Sequence, residues 1–220
     1  MRCNSRGSRR CSAYVTTDFP AVPQSAIDNI AAFGRYAASR GWVPATAGNF
    51  SCRIDAHHAA ITRSGIDKGT IDSQGVAAVA IDAPLPPGLS AETPLHLARY
   101  RADPKIGAVF HVHTIAATVL SRLAAGQGGV RTHGYEMHKA LAGFSSHESA
   151  VEIPVFGNDQ DTLKLAAEIE QRLGRDTAVP GYLIAGHGLY AWGATAAQAR
   201  RHVEGIEFLL ACHLEERKLR

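Results

Sequence analysis

The feature that most constrains the fold is the stretch IGAVFHVHTIAATVLSR at residues 106–122, where an apolar run leads directly into a helical pattern. The run predicts a strand, and Thr114 after it predicts the N-cap of a helix. Because side chains alternate along a strand, His111 and His113 should share one face while Phe110 faces the other. The sequence therefore places two imidazoles side by side at the end of a strand.

Helical and strand patterns alternate through the rest of the chain, without an internal repeat or a flexible linker. Ser25 and Thr195 are the expected N-caps of the first and last helices. Apolar spacings of three and four predict helices at 25–40, 91–102, 114–123, 135–143 and 162–174, and from 195 onwards. Apolar runs predict strands at 49–54, 59–65, 75–81, 106–112, 151–156 and within 181–193. Because hairpins are frequent, we predict one α/β domain with a mostly antiparallel sheet.

The composition excludes several classes of protein. A length of 220 residues suits one domain, and 45% hydrophobic with 20% charged residues is typical of a soluble globular protein. No apolar run approaches the roughly 20 residues that span a bilayer, so we expect no membrane segment. The net charge of +3 is small, and four arginines lie among the first ten residues. The rest of the chain is therefore close to neutral, which argues against a nucleic-acid-binding face.

The N-terminal segment differs from the rest of the chain. Residues 1–22 are rich in Ser, Arg and Pro and lack the apolar centre of a secretory signal. We expect a mobile tail there, followed by a single catalytic domain at 23–220; an organelle transit peptide is the alternative. The four cysteines form no short-spaced pair, which favours reduced thiols in a cytoplasmic protein.

Three histidines form the strongest candidate for a metal site. Two imidazoles on one face of a strand, about 7 Å apart, can converge on one ion, and catalytic zinc usually takes three protein ligands. His187 is the best third ligand because it lies between two glycines at the end of a predicted strand. The alternative from the residues alone is structural: His111 and His113 pack in the core and His187 lies in a turn.

Three segments of small residues suit a bound anion. AGNFS contains Asn49 and RSGIDKG contains Ser64 and Gly65, and both offer backbone N–H groups and hydroxyls in turns. Ser90 precedes a helix whose N-terminus attracts negative charge. Phosphate suits all three segments, although each is also ordinary loop sequence. The chain has neither G-x-x-x-x-G-K-[ST] nor G-x-G-x-x-G, so we expect no nucleotide site of either kind.

Two carboxylates are candidates for a general acid or base. Glu92 falls in the first turn of the second predicted helix, and Glu136 falls where a loop enters a short helical segment. Each also has a simpler role, since Glu92 could serve only the helix dipole and Glu136 only the surface. The residues alone do not choose between these roles.

Five motifs, GNFS, SG, SAETPLH, HVHT and AGHGLYAWG, occur in this order between Ile27 and Glu215 and resemble the class II aldolase and adducin family. The resemblance implies a three-layer α/β/α sandwich with a central, mostly antiparallel sheet. It also implies one zinc ion per subunit and a homotetramer with active sites at subunit borders. Members of the family act on small sugars, so we expect a small phosphorylated ketose as the substrate.

Longer stretches, HVHTIAATVLSR, GYEMHKALAG, IPVFGNDQD and GYLIAGHGLYAWG, resemble a branch of the family that removes water from a phosphorylated ketose. By this resemblance Glu136 is the acid/base, and Glu92 corresponds to the carboxylate beside the zinc in the aldolases. The other implied roles are zinc ligation by His111, His113 and His187, and phosphate binding by Asn49, Ser64, Gly65 and Ser90. A sugar-phosphate aldolase, a pentulose-phosphate epimerase and a non-catalytic adducin-like module remain the alternatives.

Overall fold

The computed structural model describes residues 20–174 and 178–219. The tail expected at 1–22 therefore lies almost entirely outside the described residues, and the catalytic domain expected at 23–220 keeps its bounds as a prediction. Among the described residues, each helix is either too short or too polar to span a bilayer.

The strands of the described residues form one eight-stranded sheet in the order β3-β2-β1-β4-β8-β7-β6-β5. Neighbouring strands pair antiparallel, apart from the parallel pair β6 and β7, so the prediction of a mostly antiparallel sheet is confirmed. The strand bounds are β1 Asn49–Arg53, β2 His58–Thr62, β3 Val76–Ala80, β4 Ala108–Val112, β5 Gly129–His133, β6 Ala150–Phe156, β7 Gly181–Ile184 and β8 Gly188–Gly193.

Helices cover both faces of this sheet. Their bounds are α1 Gln24–Ser39, α2 Thr93–Ala102, α3 Ile115–Leu123, α4 Thr162–Leu173 and α5 Ala196–Lys218. Apolar side chains of α1, α3 and α5 form one core with the sheet, and those of α2 and α4 form a second core on the opposite face. The predicted three-layer α/β/α arrangement is confirmed.

Strand β4 lies near the middle of the sheet, between β1 and β8, and all five of its residues are buried. Phe110 belongs to one core, where its ring stacks on Phe33 with centroids 4.0 Å apart, and Val109 belongs to the other. Burying side chains of this size stabilises the fold by roughly 1.5–3 kcal/mol each. Because β4 is anchored on both faces, a side chain at its end has little freedom to move.

Helix caps decide where the first and last helices begin. Thr195 is confirmed as an N-cap, since its Oγ1 accepts from Gln198 N at 3.1 Å, while Gln198 Oε1 accepts from Ala194 N at 2.8 Å. Ser25 is wrong as the cap of α1, which begins one residue earlier and follows Pro23 without a side-chain capping bond. Proline has a fixed φ, which sets the direction of entry without a hydrogen bond.

Two differences from the predicted elements lie in one part of the chain. Strand β5 was not predicted, because GVRTH alternates buried residues with exposed polar ones over only five positions. The helix predicted at 135–143 is a shorter 3₁₀ segment at Glu136–Ala140. Short elements of this kind are stabilised by neighbouring elements and carry a weak local signal.

Candidate metal centre and active site

Four side chains meet at one end of the central strands. His111 lies within β4, and His113 lies one residue beyond the end of that strand. His187 lies in the turn between β7 and β8. Glu92 joins them from the N-cap position of α2. One nitrogen or oxygen atom from each of these residues lies within 4.8 Å of the others. The structure therefore brings together the three histidines and one of the two carboxylates selected from the sequence.

The contacts inside this centre are short. His111 Nε2 lies 2.8 Å from His113 Nε2, and His187 Nε2 lies 2.7 Å from Glu92 Oε1. Glu92 Oε2 is 3.6 Å from His111 Nε2. Three imidazole nitrogens and a carboxylate oxygen are the ligand types that zinc and related divalent ions prefer. The residues present therefore fit a bound divalent ion.

Contacts to the backbone hold the ring of His111 and the main chain at His113 and His187. His111 Nδ1 lies 3.0 Å from Leu189 O and donates to it, which leaves the Nε2 lone pair facing the centre. The His111 ring also stacks on Tyr190, with centroids 3.9 Å apart. His113 N donates to Trp42 O at 2.8 Å, and Thr118 Oγ1 donates to His187 O at 2.9 Å. The fold thus orients the ring of His111 and fixes the backbone positions from which His113 and His187 reach the centre.

Two glycines make this close packing possible. A Cβ on Gly188 would lie 2.3 Å from Val112 O and 3.0 Å from His111 Cε1. A Cβ on Gly48 would lie 2.6 Å from His111 O, and Gly48 also has a φ of +78°, which favours glycine. The glycine after His187 is therefore required by the close approach of β8 to β4.

Burial sets the charge of the centre. It lowers the pKa of His111 well below its ordinary value and lowers the pKa of His113 to about 4, so both imidazoles are neutral at neutral pH. Burial alone would raise the pKa of Glu92, but His111 and hydrogen bonds from His187 and Asn49 outweigh it and hold the pKa far below its usual range. Neutral imidazoles beside a carboxylate are the protonation states in which these groups bind metal.

A cavity of about 300 Å³ opens beside the centre. Ser64, Ser90, Glu92 and His187 all line it, so two of the predicted phosphate-binding residues face the same space as the centre. Glu92 N donates to Ser90 Oγ at 3.2 Å. The cavity is large enough for the phosphate and the adjoining carbons of a small sugar.

The other two predicted phosphate-binding residues lie beside this cavity lining. Asn49 is 3% exposed, and its Nδ2 donates to Ser90 Oγ at 3.4 Å and to Glu92 Oε2. Gly65 follows Ser64 and has a φ of +72°, a conformation that favours glycine in this turn. Asn49 thus connects Glu92 of the centre to Ser90, a predicted phosphate-binding residue.

Sequence reasoning missed two contributors to this region. The loop after β6 lines the cavity with Asn158, Asp159 and Gln160, and the only signal for it was the polar run GNDQD directly after a strand. The second is Lys68 in RSGIDKG, which is 1% exposed and donates to Thr46 O at 2.7 Å and Ile66 O at 2.9 Å. Its ammonium therefore organises the loop backbone.

Glu136 is not brought to the centre within this chain. It begins the 3₁₀ segment Glu136–Ala140, and 71% of its side chain is exposed. Its carboxylate contacts Lys139 Nζ at 2.6 Å and His147 Nδ1 at 3.3 Å. The hydrogen bond from Lys139 is the main reason that the pKa of Glu136 lies below its ordinary value.

Comparison with known families decides where this arrangement belongs. The model of the class II aldolase and adducin N-terminal domain matches residues 28–214. The chain belongs to the class II aldolase and adducin family. The match spans α1 to the last helix, so it includes every residue of the centre and of the cavity. The family resemblance of the sequence motifs is thereby confirmed.

Curated members of this family include closely similar proteins. A methylthioribulose-1-phosphate dehydratase of Parvibaculum lavamentivorans is 52% identical over 195 residues, which are 89% of this chain and 96% of that protein. One of Stenotrophomonas maltophilia is 50% identical over 212 residues, which are 94% of this chain and 96% of that protein. Both likenesses extend over nearly the whole family domain.

Solved structures of the family share the fold. L-fuculose-1-phosphate aldolase of Thermus thermophilus has a TM-score of 0.72 and is 25% identical, covering 88% of this chain and 94% of that one. A sugar-phosphate aldolase of Thermotoga maritima has a TM-score of 0.66 at 17% identity, covering 89% and 96%. The α/β/α sandwich of this family member is therefore the family fold.

Proposed function

We propose that the protein removes water from 5-methylthioribulose 1-phosphate, giving 2,3-diketo-5-methylthiopentyl 1-phosphate in methionine salvage. The observation that carries this proposal is the roughly one-half identity, over most of the chain, to relatives named for this reaction. The histidine centre and the adjoining cavity support it, because a dehydratase of this kind needs a cation site next to room for a phosphorylated sugar. On this proposal the protein is a carbon–oxygen lyase.

The substrate chemistry defines what the site must do. The substrate has a ketone at C2, a hydrogen on C3 that must leave as a proton, and a hydroxyl on C4 that must leave as water. The resulting enol then becomes the 2,3-diketone. A zinc ion held by His111, His113 and His187 would supply Lewis-acid stabilisation of the negative charge that develops near C2. We take zinc as the ion because of its preference for imidazole ligands.

The phosphate is the part of the substrate that the polar lining of the cavity can bind. Ser64 and Ser90 present hydroxyls to it, Gly65 offers a turn backbone, and Asn49 orients Ser90 through its amide. Donors fixed by the fold can hold a phosphate without a conformational change on binding. A substrate held there would extend its carbon chain towards Glu92 and His187, which line the same cavity.

The proton carrier is the remaining part of the mechanism. We assign the removal of the C3 proton and the protonation of the leaving hydroxyl to Glu136, acting in the site of a neighbouring copy within a homotetramer. Its exposure and its separation from the centre of its own chain support this assignment. Glu92 is already bonded to His187 and Asn49, so it suits an orienting role beside the ion better than proton transfer. Sedimentation of the purified protein will test the tetramer.

The decisive experiment supplies the substrate directly. Purified, zinc-loaded protein is incubated with 5-methylthioribulose 1-phosphate, and formation of the diketone is followed by its absorbance and by mass. We expect turnover that a chelator abolishes and added zinc restores. A protein that holds zinc but forms no diketone would refute the dehydratase proposal. The cytoplasmic location stays a prediction, which fractionation of the source cells would test.

A second enzyme function calls for the same assay. The structural likeness to L-fuculose-1-phosphate aldolase favours carbon–carbon bond cleavage as the alternative, because an ion in the histidine centre would also stabilise the negative charge that develops during such a cleavage. Fuculose 1-phosphate and ribulose phosphates are therefore tested alongside, which also covers a pentulose-phosphate epimerase. Cleavage or epimerisation of these, without diketone from the methylthio sugar, would replace the first proposal. A bare adducin-like module would show no turnover and no zinc.

A further inference from the structure

A line of hydrogen bonds leads from Glu92 into the core of the protein. The side-chain amide of Asn49 contacts Glu92 Oε2 with Nδ2 and His96 Nε2 with Oδ1. Ser51 Oγ lies 2.8 Å from His96 Nδ1 and 2.8 Å from the Tyr100 hydroxyl. We call this line, from Glu92 through Asn49, His96 and Ser51 to Tyr100, the buried chain.

Two sequence periods bring these side chains together. Glu92, His96 and Tyr100 are four residues apart at the start of α2 and along it, so they lie on one face of that helix. Asn49 and Ser51 are two residues apart on β1, so they lie on one face of the strand. The helix motif E-x-x-x-H-x-x-x-Y thus faces the strand motif N-x-S, and their polar groups alternate along the line.

One arrangement of hydrogen atoms satisfies all four contacts. A carboxylate only accepts, so Asn49 donates to Glu92 and its Oδ1 must accept from Nε2–H of His96. A neutral imidazole then has a lone pair on Nδ1, so the Ser51 hydroxyl donates there and accepts in turn from Tyr100. Burial lowers the pKa of His96 to about 4, against the opposing effect of Glu92, which keeps the ring neutral. In this arrangement each hydrogen bond of the buried chain is donated towards Glu92, and the 3.4 Å contact of Ser51 Oγ with Val109 O is the longer one.

The four inner members are almost completely buried. Ser51 and His96 are 0% exposed, Tyr100 is 2% exposed and Asn49 is 3% exposed. Buried polar groups destabilise a fold when they lack partners, and chains of satisfied ones polarise one another in a medium of low dielectric constant. Removing one hydroxyl would leave its neighbour without a donor or an acceptor. The orientation of Glu92 is therefore coupled to groups deep in the core.

We propose that His96, Ser51 and Tyr100 are positioning residues, which hold Asn49 and Glu92 in the orientation that the metal centre requires. Their effect on turnover rests on the proposed function, whereas their effect on hydrogen positions and on metal affinity does not. None of the three touches the centre directly in the contacts described above; each acts through Asn49.

Hydrogen positions provide the first test, on the unaltered protein. Neutron diffraction from crystals of the metal-loaded protein will locate the exchanged deuterium atoms. We expect deuterium on His96 Nε2, none on Nδ1, and a Ser51 deuteroxyl directed at Nδ1. Deuterium on Nδ1 would reverse the line of donors and overturn the proposal.

Variants at the far end provide the second test. Ser51→Ala removes the donor to His96, and we expect a loss of roughly 10–100-fold in metal affinity and in kcat, the range that outer partners of metal ligands show. Tyr100→Phe should give a smaller loss of the same kind, since Ser51 can still donate. The matched control is Tyr182→Phe, because Tyr182 is 0% exposed and its hydroxyl has no hydrogen-bond partner among the described residues.

The outcomes separate this proposal from the proposed function. Lower metal affinity in Ser51→Ala and Tyr100→Phe than in Tyr182→Phe supports the buried chain even if the native protein forms no diketone. Unchanged metal affinity and kcat in Ser51→Ala would overturn it. If Ser51→Ala does not fold, the neutron experiment and Tyr100→Phe still decide the question.

Discussion

The candidate metal centre and the segment that carries Glu136 are built in opposite ways. His111 is 0% exposed on a central strand, and its Nδ1 is held by a backbone carbonyl. Glu92 is held by His187 and by the buried chain that ends at Tyr100. Glu136, in contrast, lies in a 3₁₀ segment with 71% of its side chain exposed, in contact with Lys139 and His147.

This contrast teaches where a catalytic group can be placed. Ligands of an ion must be oriented to within a fraction of an ångström, and a sheet packed on both faces provides that accuracy. A group that works across a subunit border must instead be exposed on its own chain. The four residues of the candidate centre accordingly come from one chain, whereas the proposed proton carrier requires a neighbouring copy.

Removal of a ligand should have the largest effect. His111→Ala deletes the most buried imidazole of the centre, so we expect loss of bound metal and a fall in turnover beyond the roughly 100-fold that outer-partner losses reach. Metal content by mass spectrometry and diketone formation are the measurements. The matched control is His58→Ala, a histidine that begins β2, pairs with Asp55 and is not one of the four residues of the centre. Full metal content in His111→Ala would show that His111 is not a ligand and would contradict the contrast.

The exposed carboxylate should give a large effect of a different kind. Glu136→Gln keeps the shape of the side chain and removes the proton carrier, so we expect native metal content and thermal midpoint with a roughly 10²–10⁴-fold loss of kcat. Glu215→Gln is the matched control, because Glu215 also pairs with a lysine three residues later at 2.6 Å. Full activity in Glu136→Gln would make Glu92 the leading base.

A partly buried acid near the centre should make folding stability depend on pH. Burial raises the pKa of Glu207 to about 7, although the hydrogen bond from Thr114 acts against this. The folded state then binds the proton more tightly than the unfolded state, so the carboxylate costs stability that grows as the pH rises from about 4.5 through 7. Glu207→Gln should gain up to about 3 kcal/mol over the native protein between pH 5 and pH 8.

Urea unfolding of the chelated protein at both pH values measures this gain. Thr114 follows His113 directly in the sequence, and its Oγ1 lies 2.5 Å from Glu207 Oε2. The result therefore reports on the packed region that holds the centre. A difference between the variant and the native protein that stayed constant with pH would mean that Glu207 is ionised like an exposed acid.

The smallest effect is expected at the exposed ion pair. Lys139→Ala removes the hydrogen bond that holds the pKa of Glu136 down, so the acidic limb of the rate profile should move to higher pH. The thermal midpoint should stay unchanged, since both side chains are exposed. Lys218→Ala, at a similar exposed pair, should change neither quantity. A shift of the same size in both variants would show that the effect is general charge and not Glu136.

Local patterns in the sequence predicted the elements that carry the centre. The alternation of Val109, Phe110 and His111 predicted the two faces of β4. Thr114 was predicted to start α3, and in the structure its Oγ1 accepts a hydrogen bond from Ala117 N at 3.1 Å. Ser25 failed as a cap because a preceding proline can start a helix without one. Strand β5 was missed because it has only five residues, and its polar side chains leave too few apolar positions to show the alternation of a strand.

The site itself was only partly within reach of the sequence. His111, His113 and His187 could be selected, because strand alternation and flanking glycines are local signals. The contact between Asn49 and Glu92 joins positions more than forty residues apart, and no local pattern fixes such a pairing. The proposed role of Glu136 depends on assembly, which lies beyond any single chain. Sequence resemblance supplied what local physics could not.

The spacing of the ligands along the chain has a consequence for folding. An ion bound by His111, His113 and His187 would join β4 to the hairpin of β7 and β8, and so act as a cross-link between distant parts of the chain. Ligand present at about 100 times its dissociation constant stabilises a folded state by about 2.7 kcal/mol. Metal supply would thus govern how long the protein survives in its native form, as well as whether it works.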